Sequence, residues 1–156
     1  MLSLELRKLD DDWKELLAPY LASTSGIDAI TKIDDYLANQ CFDFHPPRKE
    51  FLRPFKLISV KNVRVVIVGH YPYPKSFHTT GLPFSNPKSV PIAFSVKKIF
   101  ESIINDVGGV MPDNGCLEHL PPQGVLLINR KFTTSSNFEK FSKGHTDIGW
   151  EHFSRA

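Results

Sequence analysis

Between Val63 and Pro87 the chain carries His70, Tyr71, Tyr73, His78 and Phe84 in one run rich in proline and glycine, VRVVIVGHYPYPKSFHTTGLPFSNP. Such residues offer imidazole and phenol groups for proton exchange and aromatic faces for stacking a flat ligand. A further polar group, Asn129, closes the apolar run Val125 to Ile128 within PQGVLLINRKFT. Its amide both donates and accepts, which suits recognition of a hydrogen-bonding edge. No glycine loop of the phosphate-cradling kind and no clustered metal-ligand spacing is present. Metal- or nucleotide-dependent chemistry is therefore poorly supported, and no cofactor or metal is expected.

These side chains need elements to hold them. Val63 to Val68 is apolar except for Arg64 and stops at Gly69, the pattern of a buried parallel strand running into a shaped loop. Val125 to Ile128 repeats that arrangement. In open α/β sheets, ligands bind beyond the carboxyl ends of parallel strands, which is where both polar groups fall. Two parallel strands require a crossover. Val90 to Asp106 supplies it as a helix, with Ser95 as cap, Val96, Ile99, Phe100, Ile103, Ile104 and Val107 on one face, and Gly108 and Gly109 at its end.

Upstream, Asp10 to Asp12 starts a helix with Trp13, Leu16, Leu17, Tyr20 and Leu21 on its apolar face, expected to kink or end at Pro19. Thr24 and Ser25 precede a second periodic set, Ile27, Ile30, Ile33 and Leu37. Cys41 to Lys56 reads as loop with an aromatic patch of Phe51 and Phe55, and Ser135 to Gly149 as a polar loop. The expectation is one domain over 1–156, with 1–40 a helical scaffold and 41–156 bearing the motifs.

With 156 residues, 41% hydrophobic and 12% aromatic, the chain can build one core. Its net charge of +2 excludes a polycation, so nucleic-acid contact has to come from local clusters. Candidates are Arg48, Lys49 and Arg53; Lys97 and Lys98; and Arg130, Lys131, Lys140 and Lys143, although a solvated mixed-charge surface explains each alone. Cys41 and Cys116 lack metal spacing and read as reduced intracellular thiols. No leader and no long apolar run is seen, so a cytoplasmic or nuclear setting without membrane is expected.

Five stretches, in order, resemble uracil-DNA glycosylases of the family-1 type: VRVVIVGHYPYP, GLPFS, VPIAFS, QGVLLIN and GHTDIGWEHF. The resemblance implies a partial α/β fold, a parallel sheet flanked by helices that lacks the family's last two strands, and a helix starting at Trp150. It implies that uracil stacks on Phe84, that Asn129 reads its edge, that Tyr73 blocks a 5-methyl group, and that the His70 and Tyr71 backbone lies over O2. Pro91, Ser95, Gly144 and His145 match the loops that grip DNA phosphates, so the implied partner is uracil-containing DNA, single- or double-stranded.

Two departures bear on catalysis. Tyr71 stands where the family has its catalytic aspartate; a tyrosine with its usual pKa near 10 carries no charge at pH 7. A catalytic base is typically worth about 10² to 10⁴ in rate. The family's H-P-S-P-L-S segment follows the position of GWEHF and does not occur before Ala156. Losing its histidine donor would cost roughly another 10² to 10³. Recognition of uracil with weak or absent hydrolysis is the expectation. The alternative is a non-enzymatic DNA- or protein-binding module. It is prompted by the Tyr73-Pro74 pair, shared with a poxvirus branch whose glycosylase also serves as a processivity factor. An unpaired edge on the first strand would invite a homodimer or a completing protein partner.

Overall fold

The computed structural model describes residues 2–39, 44–75, 78–135 and 148–155. Its elements are α1 (Leu2–Leu6), α2 (Asp11–Leu21), α3 (Thr24–Ala38), β1 (Phe44–His45), α4 (Arg53–Lys56), β2 (Val65–Gly69), α5 (Phe94–Val107), β3 (Val125–Asn129), β4 (Thr134–Ser135) and α6 (Trp150–Phe153). β2 and β3 pair in parallel from Val65 opposite Val125 to Gly69 opposite Asn129, with α5 in the crossover. This is the partial α/β arrangement expected. β1 and β4 form a separate two-residue antiparallel pair, so the stretch read as loop after Cys41 contains a strand and the short helix α4.

Helix boundaries follow local chemistry. Ser23 accepts the Gly26 N–H at 3.1 Å and caps α3, so Thr24 and Ser25, expected to precede the periodic set, are the first two residues of the helix. Pro19 does not end α2: the helix runs on to Leu21, and the Ala22 N–H still reaches the Ala18 carbonyl at 3.0 Å. An interior proline removes one donor and crowds the preceding turn, yet the helix continues past it, with Tyr20 of the last turn edge-on to Phe153. Leu16 and Ile27, expected on core faces, are exposed.

The larger core joins the amino-terminal helices to the motif-bearing part. Trp13, Ile33, Phe51, Phe55, Phe132, Trp150 and Phe153 share it. The Trp13 indole donates to the Ile58 carbonyl at 2.8 Å, and the Trp150 indole to the Thr133 hydroxyl at 2.7 Å, so both ring nitrogens are satisfied. A smaller cluster lies under α5, where Val96 and Phe100 pack with Leu82, Leu117 and Leu127.

The expectation of a buried first strand needs correction. Leu126 and Leu127 of β3 are buried, but Val65, Val66, Ile67 and Val68 of β2 are 52, 49, 38 and 59% exposed. Their apolar run is that of a central strand, yet among the described residues β3 is the one neighbour of β2 in the sheet.

Candidate nucleobase-binding site

At the carboxyl ends of β2 and β3 lies a cavity of about 380 Å³. His70, Tyr71, Tyr73, Phe84, Ser95 and Asn129 all line it, so residues from three separate stretches of sequence meet in one place. Phe51, Pro54 and Phe132 supply further apolar wall. In the sequence Phe51 belongs to an aromatic patch with no visible link to the site, because proximity across the core is not written in local spacing.

Asn129 is 7% exposed at the end of β3, opposite Gly69 in register. A side chain at Gly69 would collide with the Asn129 Oδ1, so glycine at the end of β2 is what admits the amide. No described residue hydrogen-bonds that amide, which leaves its donor and acceptor available within the cavity.

Phe84 has φ of +64°, a conformation that a side-chain-bearing residue adopts at a cost of about 1–3 kcal/mol. The Tyr73 hydroxyl holds it there, donating to the Phe84 carbonyl at 3.2 Å. With that proton committed, the Ser95 hydroxyl at 2.9 Å is the donor to the Tyr73 oxygen. Burial pushes the Tyr73 phenol above its ordinary pKa, partly offset by the Ser95 bond. His78 stands edge-on to the Tyr73 ring at 5.9 Å, and His70 and Tyr71 have their rings 4.8 Å apart.

Ser95 is not the cap of α5. It is the second residue of that helix, and Ala93 is the cap. The helix start is held instead by Asn86, whose buried Oδ1 accepts the Ala93 N–H at 3.1 Å. That fixes the first turn, and with it the Ser95 hydroxyl over Tyr73. Pro91 is exposed just before this turn and does not line the cavity. Gly144 and His145 lie outside the described residues.

Three members of the basic clusters are held in ion pairs, and Lys140 and Lys143 lie outside the described residues. Arg53 is engaged by Glu50 and Glu118 and by the Thr80 carbonyl. Lys98 pairs with Glu101 at 2.7 Å, and Lys131, 5% exposed, with Glu151 at 3.5 Å. Lys131 and Glu151 sit with Lys32, Arg130 and His152 in a mixed-charge cleft of about 550 Å³ that adjoins the cavity through His70. Cys116 is a free thiol. Among the described residues no three His, Cys, Asp or Glu side chains converge on a metal site, and no helix is long and apolar enough to cross a membrane.

The arrangement of two parallel strands and flanking helices matches the fold of solved uracil-DNA glycosylase structures. Mimivirus uracil-DNA glycosylase superimposes with a TM-score of 0.77 at 24% identity, over 96% of this chain and 55% of the mimivirus chain. A variant of mimivirus UNG in complex with UGI gives 0.83 at 26% identity, over 99% and 56%. Sequence agrees with fold: the uracil-DNA glycosylase of Campylobacter fetus is 32% identical over 149 residues, 96% of this chain. That of Campylobacter hominis is 34% identical over 155 residues, 99% of this chain.

The chain is thus uracil-DNA glycosylase-like in both sequence and structure, and it spans 62% and 64% of the length of these two relatives. No protein-family model matches it.

Proposed function

We propose that the cavity takes a uracil base turned out of DNA, with the base stacked on Phe84, its edge read by Asn129 and its 5-position crowded by Tyr73. The observation that carries this reading is the Asn129 amide, buried yet without a described hydrogen-bond partner, in a cavity walled by Phe84, Tyr73 and Tyr71. Extruding a base costs a few kcal/mol of stacking and pairing, which a ring face and a complementary edge repay. Thymine is refused by shape and cytosine by the edge. Pro91 and Ser95, at the start of α5, and Gly144 and His145 are assigned to the DNA backbone, in an intracellular protein that recognises uracil as DNA damage.

Hydrolysis is slow or absent. Bond cleavage in such a site requires stabilisation of a sugar cation and delivery of water, and Tyr71 presents a bulky phenol where the resemblance implies a carboxylate. The test is alkaline strand cleavage of a single-stranded oligonucleotide with one uracil, after incubation with the protein or its Tyr71→Asp variant. The expected result is little cleavage by the original and more by Tyr71→Asp. Rapid cleavage by the unmodified protein would overturn the assignment of Tyr71. Binding of the same oligonucleotide should weaken about 5- to 150-fold in Phe84→Ala, the worth of one base stack, and unchanged binding would sink the base-reading role.

The exposed row Val65 to Val68 favours a second reading, in which the fold also serves as a protein-binding module.

A further inference from the structure

α5 opens on the one Phe, Tyr or Trp side chain that is exposed among the described residues. Phe94, the first residue of the helix, is 76% exposed, and the other large apolar side chains left at the surface are aliphatic. With about 3.6 residues per turn, Phe94 stands opposite Val96 and Phe100, which are buried in the core, and on the same side as Lys97 and Lys98. A lone apolar side chain at a surface is ordinary. An aromatic ring beside lysines at the rim of a ring-lined cavity is a more specific arrangement, since bases stack on rings where cations meet the strand. Ser95, the next residue, lines the cavity and lies 2.9 Å from the Tyr73 hydroxyl that holds Phe84, so Phe94 sits one residue outside the cavity wall. The Lys98 Nζ lies over the Phe94 ring, 5.6 Å from its centre, and pairs with Glu101 at 2.7 Å. Among the described residues no other ring or cation lies against Phe94, and Lys97 is exposed without a salt bridge.

We propose that Phe94 is a stacking platform for a base flanking the one held in the cavity, with Lys97 beside the intervening phosphate, and that the occupant of this face is single-stranded DNA. This role rests on the reading of the cavity as a uracil site and extends it from one nucleotide to two. Charge favours this occupant over an apolar polypeptide, because lysines flank the ring and no apolar patch continues from it. The exposed Ile99 and Ile103 of the same helix project more than a third of a turn away around its axis. In a duplex the flanking base is already stacked and paired, so the ring gains a contact only where the strand is single. Base stacking on Phe94 is distinct from the backbone contacts assigned to Pro91 and Ser95, which engage no base.

The test is fluorescence anisotropy of the full chain with two labelled single strands, each holding one uracil. One strand has ordinary nucleotides beside the uracil. The other has abasic sites on both sides, which keep the phosphates and remove the flanking bases. Phe94→Ala, which alters an exposed side chain, should retain the circular dichroism of the parent and weaken binding of the first strand about 5- to 150-fold, the worth of one base stacked on a ring. On the second strand it should bind as the parent does, and Phe94→Trp should bind the first strand as the parent does. Equal affinity of Phe94→Ala and the parent for the first strand, or an equal loss on both strands, overturns the platform. Phe84→Ala measured alongside separates the two readings. A loss in Phe84→Ala without one in Phe94→Ala sinks the platform alone, whereas no loss in Phe84→Ala, or no binding by the parent, sinks the cavity reading and the platform with it.

Discussion

Gly69 shows how much one missing side chain controls. Its place opposite Asn129 leaves room for the amide at the end of β3, and a methyl group there would meet Oδ1 well inside van der Waals contact. Gly69→Ala is expected to destabilise the protein by about 1–3 kcal/mol, as overpacking does. It should also abolish binding of a uracil oligonucleotide under conditions where the remaining fold is intact by circular dichroism. Urea denaturation alongside fluorescence anisotropy separates the two effects. Tyr73 acts at the same scale: its hydroxyl fixes the Phe84 carbonyl, so Tyr73→Phe keeps the ring in the wall but releases Phe84 from its left-handed conformation. A gain in mobility of Phe84, read by side-chain NMR, is the expected outcome.

At the scale of the element, α5 is the one whose start matters most to the site. Asn86 holds that start from outside the helix, through a bond between Oδ1 and the Ala93 N–H, while Ser95 in the first turn reaches Tyr73. Asn86→Ala is expected to cost about 1 kcal/mol, the usual worth of a helix cap, and hydrogen exchange should quicken in the first turn of α5 before other helices respond. Equal exchange in α5 and α3 would show that the Asn86 bond does not control the helix start.

For the whole molecule, stability rests on the aromatic core that ties the two ends of the described chain together. Trp150 is fully buried against Phe51, Phe132 and Phe153. Trp150→Ala should cost about 3–5 kcal/mol in denaturant unfolding. Glu5 adds a pH-dependent contribution. Burial pushes its pKa up, but Lys8 at 2.6 Å and Lys56 at 3.1 Å outweigh this, and the net effect is to hold the carboxyl below its ordinary 4.5. A depressed folded-state pKa means that the contribution is complete above that ordinary value and is lost as pH falls through the lower folded one. Glu5→Gln is thus expected to be less stable at neutral pH by about 1–3 kcal/mol, with the gap closing on acidification below pH 4.5. A gap that persists in acid would show that packing, not charge, is what Glu5 supplies.

The parallel strands, the crossover helix and the chemistry at the strand ends were legible in the sequence, because unbroken apolar runs, helical spacing and turn residues are local signals. The amide at the end of β3 and the rings after β2 could be named before their meeting was seen. Tertiary structure alone decided the rest. It ran α2 through Pro19 to Leu21, where Tyr20 packs against Phe153. It moved the cap of α5 from Ser95 to the Asn86 bond, freeing the serine for Tyr73, and it engaged Arg53 and Lys131 in ion pairs within the fold. It also left β2 exposed despite a sequence suited to burial. An apolar run states what a strand would bury, but whether anything covers it depends on contacts between distant parts of the chain, which no local pattern encodes.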